Sequence, residues 1–172
     1  MANEFNDPIS LFITWTTYGS WLPGDSRGWM KWKVGQRQPQ PLLEDWCKNQ
    51  MKERAVLLDA QHRQVVENVV GKHSDIRGWE LHAVSVRSNH VHVVVTVVPK
   101  TGNKDYRVAD GVKRIRDELK ANATRVLRRC ANPITNEKVW TRGGDIQFIE
   151  SDDLEQVVIY VSEAQDRMER GK

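Results

Sequence analysis

The run SNHVHVVVTVV, residues 88–98, has the composition of a buried strand, yet two histidines, His90 and His92, stand near its start. Side chains alternate across a strand, so His90, His92, Val94 and Thr96 share one face and Val91, Val93, Val95 and Val97 the other. Residues i and i+2 lie roughly 6.5–7 Å apart along the backbone, close enough for two imidazoles to converge on one cation. A hard cation such as Mg²⁺ or Mn²⁺ would need oxygen ligands as well. The later segment IYVSEAQDR, residues 159–167, offers Glu163 and Gln165 as donors, together with Tyr160. A phenol beside a metal-held phosphate can act as a nucleophile and form a covalent intermediate, while the metal polarises the phosphoryl oxygens. Singly, a strand histidine is most simply a solvated side chain and a helix-flank tyrosine a packing residue. Together they point to phosphoester chemistry.

The elements that must position these groups follow from periodicity. SLFITWTTY, residues 10–18, is β-branched and aromatic and predicts a strand. Residues 19–45 contain Gly19, Pro23, Gly24, Gly28, Gly35, Pro39 and Pro41 among Trp21, Trp29 and Trp32, which reads as a long irregular loop region, about 19–56, pinned by indoles. Asp59 is a candidate helix N-cap, followed by Val65, Val66, Val69 and Val70 at helical spacing. That predicts a helix over 59–73, stopping near Gly71 or Ser74, with His62 and His73 on its surface. WELHAVSVR, residues 79–87, and residues 90–98 form a hairpin about Ser88-Asn89, where Asn tolerates a left-handed backbone. Val112, Ile115, Leu119, Ala123, Val126 and Cys130 mark a second helix over 108–130. A short strand is predicted at 145–149. A third helix is capped by Ser151, with Leu154, Val157, Val158 and Val161 as its buried stripe and Tyr160 beside that stripe. The order β-α-β-β-α-β plus a helix is that of an α+β, ferredoxin-like (RRM-like) antiparallel sheet. Two helices cover one face, and the tyrosine-bearing helix lies on or beside the other, within a single domain spanning 1–172.

Composition narrows the setting. The chain has 172 residues, 39% hydrophobic and 28% charged, enough for one domain with a core. Cys47 and Cys130 show neither zinc-ligand nor disulfide-framework spacing. The N-terminus does not have the form of a signal peptide and no apolar run approaches a bilayer span, so a soluble, cytoplasmic protein is expected. Residues 101–130 hold nine Lys/Arg against four Asp/Glu, in a chain whose net charge is +3. This segment includes Lys113, Arg114, Arg116 and Lys120, which fall largely off the apolar stripe. A localised basic surface suggests a nucleic-acid backbone, although a solvated helix face explains it equally well.

NHVHVVV (89–95), TTYGSWLPGD (16–25) and VVIYVSEAQ (157–165) together resemble the IS200-like transposases, single-tyrosine members of the HUH nuclease group that include domesticated repeat-associated relatives. The resemblance spans residues 10–168. It implies cleavage and rejoining of single-stranded DNA at hairpin-flanked sites, dependent on a divalent metal, with His90 and His92 as metal ligands. Tyr160 would form a 5′-phosphotyrosine, leaving a free 3′-OH and needing no nucleotide cofactor. The family's third ligand, Gln or Asn, commonly lies four residues after the tyrosine, and here that position is Ala164. Gln165 has the familiar type but lies about 140° round an α-helix from Tyr160, while Glu163 lies about 60° the other way. Gln165 is the preferred ligand and Glu163 the alternative. The basic helix would follow the DNA backbone, and Trp140, Arg142 or the loop tryptophans would stack on unpaired bases. The family includes both monomeric sites and sites shared in a homodimer. Three alternatives remain. A histidine-triad nucleotide hydrolase would need a third histidine where Val94 stands. An RRM-like binder would expose aromatics where this strand has histidine. A domesticated protein would bind hairpin DNA without transposing it.

Overall fold

The computed structural model describes residues 7–31, 33–98 and 108–164. Four strands form the main sheet: β1 (Ile9–Thr16), β4 (Glu80–Val86), β5 (His90–Val97) and β6 (Asp145–Ile149), in the order β4-β5-β1-β6 with every neighbour antiparallel. With α2 (Ala60–Arg77) between β1 and β4, and α3 (Val108–Leu127) between β5 and β6, this is the ferredoxin-like arrangement. Alternation sorts the central strands into two faces. On one, Leu11, Ile13 and Trp15 of β1 lie beside Val95, Val93 and Val91 of β5, all buried under Val66 and Val70 of α2 and Leu119, Ala123 and Leu127 of α3. On the other, Ala83, Phe12 and Val94 meet Leu154, Val157 and Val158 of α4 (Leu154–Ile159) and Val161 of the turn that follows it. Among the described residues, no helix is long and apolar enough to cross a membrane.

Several boundaries differ from the sequence expectation. Helix α2 runs past Gly71 and Ser74 to Arg77 and stops at Gly78, whose φ of 68° is the left-handed C-cap. Ser74 Oγ donates to the Val70 carbonyl, which keeps the last turn closed. His62 is not on the surface: it is buried, its backbone N–H donates to the Asp59 carboxylate, and its Nδ1 accepts from the Asp59 N–H. Its Nε2 lies 2.6 Å from the Asn132 carbonyl, tying the helix start to the loop after α3. His73 sits against Glu118. The 87–90 turn closes with Arg87 N–H donating to the His90 carbonyl, and Asn89 has no positive φ.

The stretch read as irregular, 19–56, contains a ribbon of β2 (Trp29–Lys31) and β3 (Gly35–Arg37) and a ten-residue helix α1 (Pro41–Gln50). Pro41 starts that helix rather than breaking one, because the first helical position needs no N–H donor. The predicted Ser151 cap is displaced to Asp153, whose side chain makes no cap hydrogen bond. Helix α4 is correspondingly short, and residues Tyr160–Ala164 continue as a π turn.

Candidate active site on the open face of the sheet

Register brings the groups singled out in the sequence to one place. His90 pairs with Thr16 and His92 with Thr14 across β1, and Ser85 lies opposite His92 on β4. The imidazole centroids of His90 and His92 are 4.8 Å apart. The π turn packs over β4 and β5 and sets the Tyr160 ring 6.5 Å from His92. Phe12 lies 5.3 Å from His92 and 6.4 Å from Tyr160. Tyr160 is 46% exposed and His92 9%. The phenol can thus be reached from solvent while the imidazoles lie deeper.

Three residues not anticipated from the sequence orient these rings. Asn89 Oδ1, an acceptor only, takes a hydrogen bond of 2.7 Å from His90 Nδ1, which fixes the tautomer. Thr14 Oγ1 lies 2.8 Å from His92 Nδ1. This is the pattern by which outer partners aim the other ring nitrogen at a metal. Phe12 supplies the apolar wall between His92 and Tyr160. Asn89 was visible beside His90 in the sequence. Thr14 could be found only once the β1–β5 register was known.

Burial pushes the His92 pKa down to about 4, helped by the nearby His90 and Arg87 charges, so the ring is neutral at physiological pH. Neutral imidazole is the form that binds a metal. Two oriented imidazoles suit a divalent cation whose remaining ligands are oxygens. Among the described residues, no three His, Cys, Asp or Glu side chains form a metal-binding cluster. Gln165 lies outside the described residues, and Glu163 is exposed on the π turn.

The basic candidates divide. Helix α3 packs on the valine face, in the layer opposite the histidines. Arg116 donates to the Gly144 carbonyl and pairs with Asp117, and Lys120 Nζ donates to the Thr141 and Gly143 carbonyls. These two hold the 141–144 loop against β1. Lys113, Arg114 and Arg142 are exposed. Arg142 adjoins Thr141, whose N–H donates to the Thr16 carbonyl and whose hydroxyl lies 2.8 Å from that of Thr16, the partner of His90. It is therefore at the histidine end of the sheet. Trp140 is not a free stacking surface: it is buried edge-on against Trp15, with Nε1 donating to Lys120 O and Thr124 Oγ1. A groove of about 410 Å³, lined in part by Arg63, Glu67, Ser85, Arg87 and Ser162, opens beside the π turn.

The sheet is thus ferredoxin-like and carries an HxH pair and a tyrosine on its open face. The sequence profile of the IS200-like transposases matches residues 49–164, and the chain belongs to that family. A REP-associated tyrosine transposase bound to a REP hairpin has a similar structure: TM-score 0.51, 14% identity, covering 92% of this chain and 67% of that one. A Deinococcus radiodurans protein assigned as a transposase gives a TM-score of 0.46 at 12% identity over 94% of both chains. No curated protein matches the chain significantly.

Proposed function

We propose that this transposase cuts and rejoins single-stranded DNA beside a hairpin, with Tyr160 as the nucleophile. The observation that carries this reading is the gathering of His90, His92 and Tyr160 on one solvent-open face, with both imidazoles held at Nδ1. The Tyr160 oxygen attacks the scissile phosphorus and gives up its proton. The P–O3′ bond breaks, and the departing 3′ oxygen takes a proton. The 5′-phosphotyrosine conserves the phosphoester bond, so a second 3′-OH can reverse the step and complete strand transfer without a nucleotide cofactor. His90, His92 and one further oxygen donor would hold Mg²⁺ or Mn²⁺, which would withdraw charge from the phosphate.

The further donor is Gln165, with Glu163 the alternative. Gln165 has the residue type usual in the family, and its spacing from Tyr160 is one residue longer than the usual four. Arg142 is an exposed cation at the histidine end, where it would meet the DNA. Hairpin DNA as substrate is supported by the REP hairpin bound to the structurally similar transposase.

The test is a denaturing gel of protein with end-labelled hairpin oligonucleotides carrying single-stranded flanks, in Mn²⁺ or Mg²⁺. A protein-linked band is expected, absent from Tyr160→Phe and lost in His90→Ala. Hairpin binding without any adduct in the wild-type protein would instead indicate a domesticated DNA-binding role. An adduct in Tyr160→Phe would exclude Tyr160 as the nucleophile.

A further inference from the structure

Residues 26–43 hold Arg27, Lys31, Lys33 and Arg37 and no Asp or Glu. In the β2–β3 ribbon, Trp29 lies directly opposite Arg37 and Lys31 opposite Gly35, so an indole and two cations share one face. Lys33 occupies the turn between the strands. Among the described residues Lys31, Lys33 and Arg37 make no ion pair, in contrast to Arg116, Arg77 and Lys48 elsewhere on the surface.

At the foot of the ribbon, Trp21 has a φ of 54°, a left-handed conformation that is an outlier for a bulky residue, and it is 53% exposed. Its Nε1 donates to the Gly28 carbonyl at 2.7 Å, and the Arg27 guanidinium sits 5.0 Å from its ring centroid. Arg27 in turn donates from Nε and Nη2 to both oxygens of Asp25, a residue only 6% exposed. A buried carboxylate thus fixes a guanidinium, and the guanidinium backs an indole left half in solvent. Backbone strain persists only where surroundings over-determine it, and such positions cluster at ligand-contacting sites. The segment carrying this group leaves β1 at the active-site end: Thr17 N–H donates to the carbonyl of Asn89, the neighbour of His90.

We propose that Trp21 and the β2–β3 ribbon form a second DNA-contacting surface: Lys31, Lys33 and Arg37 hold the phosphate backbone, and Trp21 stacks on an unpaired base. The inference rests on the DNA-cutting reading and deepens it by naming where the strand is held outside the histidine–tyrosine site. Cations without acids mixed with indoles are the chemistry of single-strand grooves, where stacking tolerates any base and salt bridges follow the backbone. A protein partner would be drawn instead to the apolar side chains Leu42 and Trp46 of α1 and to Met30, which alternation puts on the other face of the ribbon from Trp29 and Lys31.

The test uses the full chain, fluorescence anisotropy in a salt series, and two labelled hairpins, one blunt and one with a short unpaired thymine flank. The triple variant Lys31→Ala/Lys33→Ala/Arg37→Ala is expected to flatten the slope of log affinity against log salt by about 2, since each phosphate that the protein neutralises adds about 0.7–0.9 to that slope. Trp21→Ala is expected to weaken the flanked probe by roughly 5- to 150-fold while sparing the blunt one. Trp21→Phe should keep most of the flank preference, and the triple variant, altered only at exposed positions, guards against a folding artefact at Trp21. A wild-type slope in the triple variant, or equal losses on both probes in Trp21→Ala, overturns the proposal. If the wild-type protein still forms the covalent adduct in that case, the catalytic reading stands. Normal ribbon-dependent binding without any adduct overturns the catalytic reading alone.

Discussion

The two faces of β5 occupy different environments although their residues alternate along one strand. Val91, Val93 and Val95 are fully buried beneath two helices. Among the described residues, a short helix and a π turn lie over the face of His90 and His92, covering Val94 with Val161 but leaving Tyr160 half exposed. On the valine face, stability comes from apolar area removed from water. On the histidine face, buried polar groups cost stability unless they are hydrogen-bonded, and Asn89 and Thr14 offset that cost. The difference shows how one strand can serve both a core and the proposed site: the face closed by the fold is sealed, and the partly covered face retains directed lone pairs.

The largest effect should come from placing one charge on each face. Val93→Asp puts an unpaired carboxylate in the sealed core and should cost about 4 kcal/mol or more, read by urea denaturation. His92→Asp, one residue away, should leave the protein folded. Equal destabilisation would erase the proposed contrast between the faces.

A somewhat smaller effect concerns acid, in metal-free protein. The folded-state pKa of His92 is held near 4 by burial and neighbouring charge, below its usual 6.5. The unfolded chain therefore binds the proton more readily. The stability that depends on neutral His92 is complete above pH 6.5 and drains away as pH falls towards 4, up to roughly 3 kcal/mol. His92→Gln should show a shallower loss across that window, and an unchanged pH profile would contradict the burial argument.

Smaller still, Thr14→Val removes the oxygen beside His92 Nδ1 without emptying space. It should weaken Mn²⁺ binding by about 10- to 100-fold in calorimetric titration, and cost about 1–3 kcal/mol of stability because buried His92 Nδ1 loses its partner. Unaltered affinity would mean that Thr14 does not orient the ring.

The same contrast explains what was legible in the sequence. Apolar periodicity reports large buried faces, so the hairpin flanking 88–89 and the Leu119–Ala123 stripe could be read directly. The HxH alternation placed the histidines opposite the valines for the same reason. The region 19–56 is organised by other means: a buried Asp25 paired with a half-exposed Arg27, indole N–H groups on carbonyls, and glycines at positive φ such as Gly24, where an added Cβ would meet the Gln40 and Glu44 backbone. Such features leave no periodic trace, and Pro41 was read as a breaker though it begins a helix. The π turn at Tyr160 was equally hidden, because its valine stripe is compatible with a continuous α-helix. The commitment of Lys120 and Arg116 to the 141–144 loop could not be seen from composition, since a cation tied to carbonyls looks the same in sequence as one facing solvent.

The central claim is that Tyr160, beside the histidine pair, becomes joined to DNA. The most direct measurement is peptide mapping by mass spectrometry of protein trapped with a hairpin oligonucleotide and Mn²⁺, then digested with nuclease and protease. The chain has three tyrosines, Tyr18, Tyr106 and Tyr160. The residual nucleotide should lie on the peptide containing Tyr160 through a 5′-phosphate. A nucleotide on either other tyrosine, or on a serine or histidine, would contradict the account.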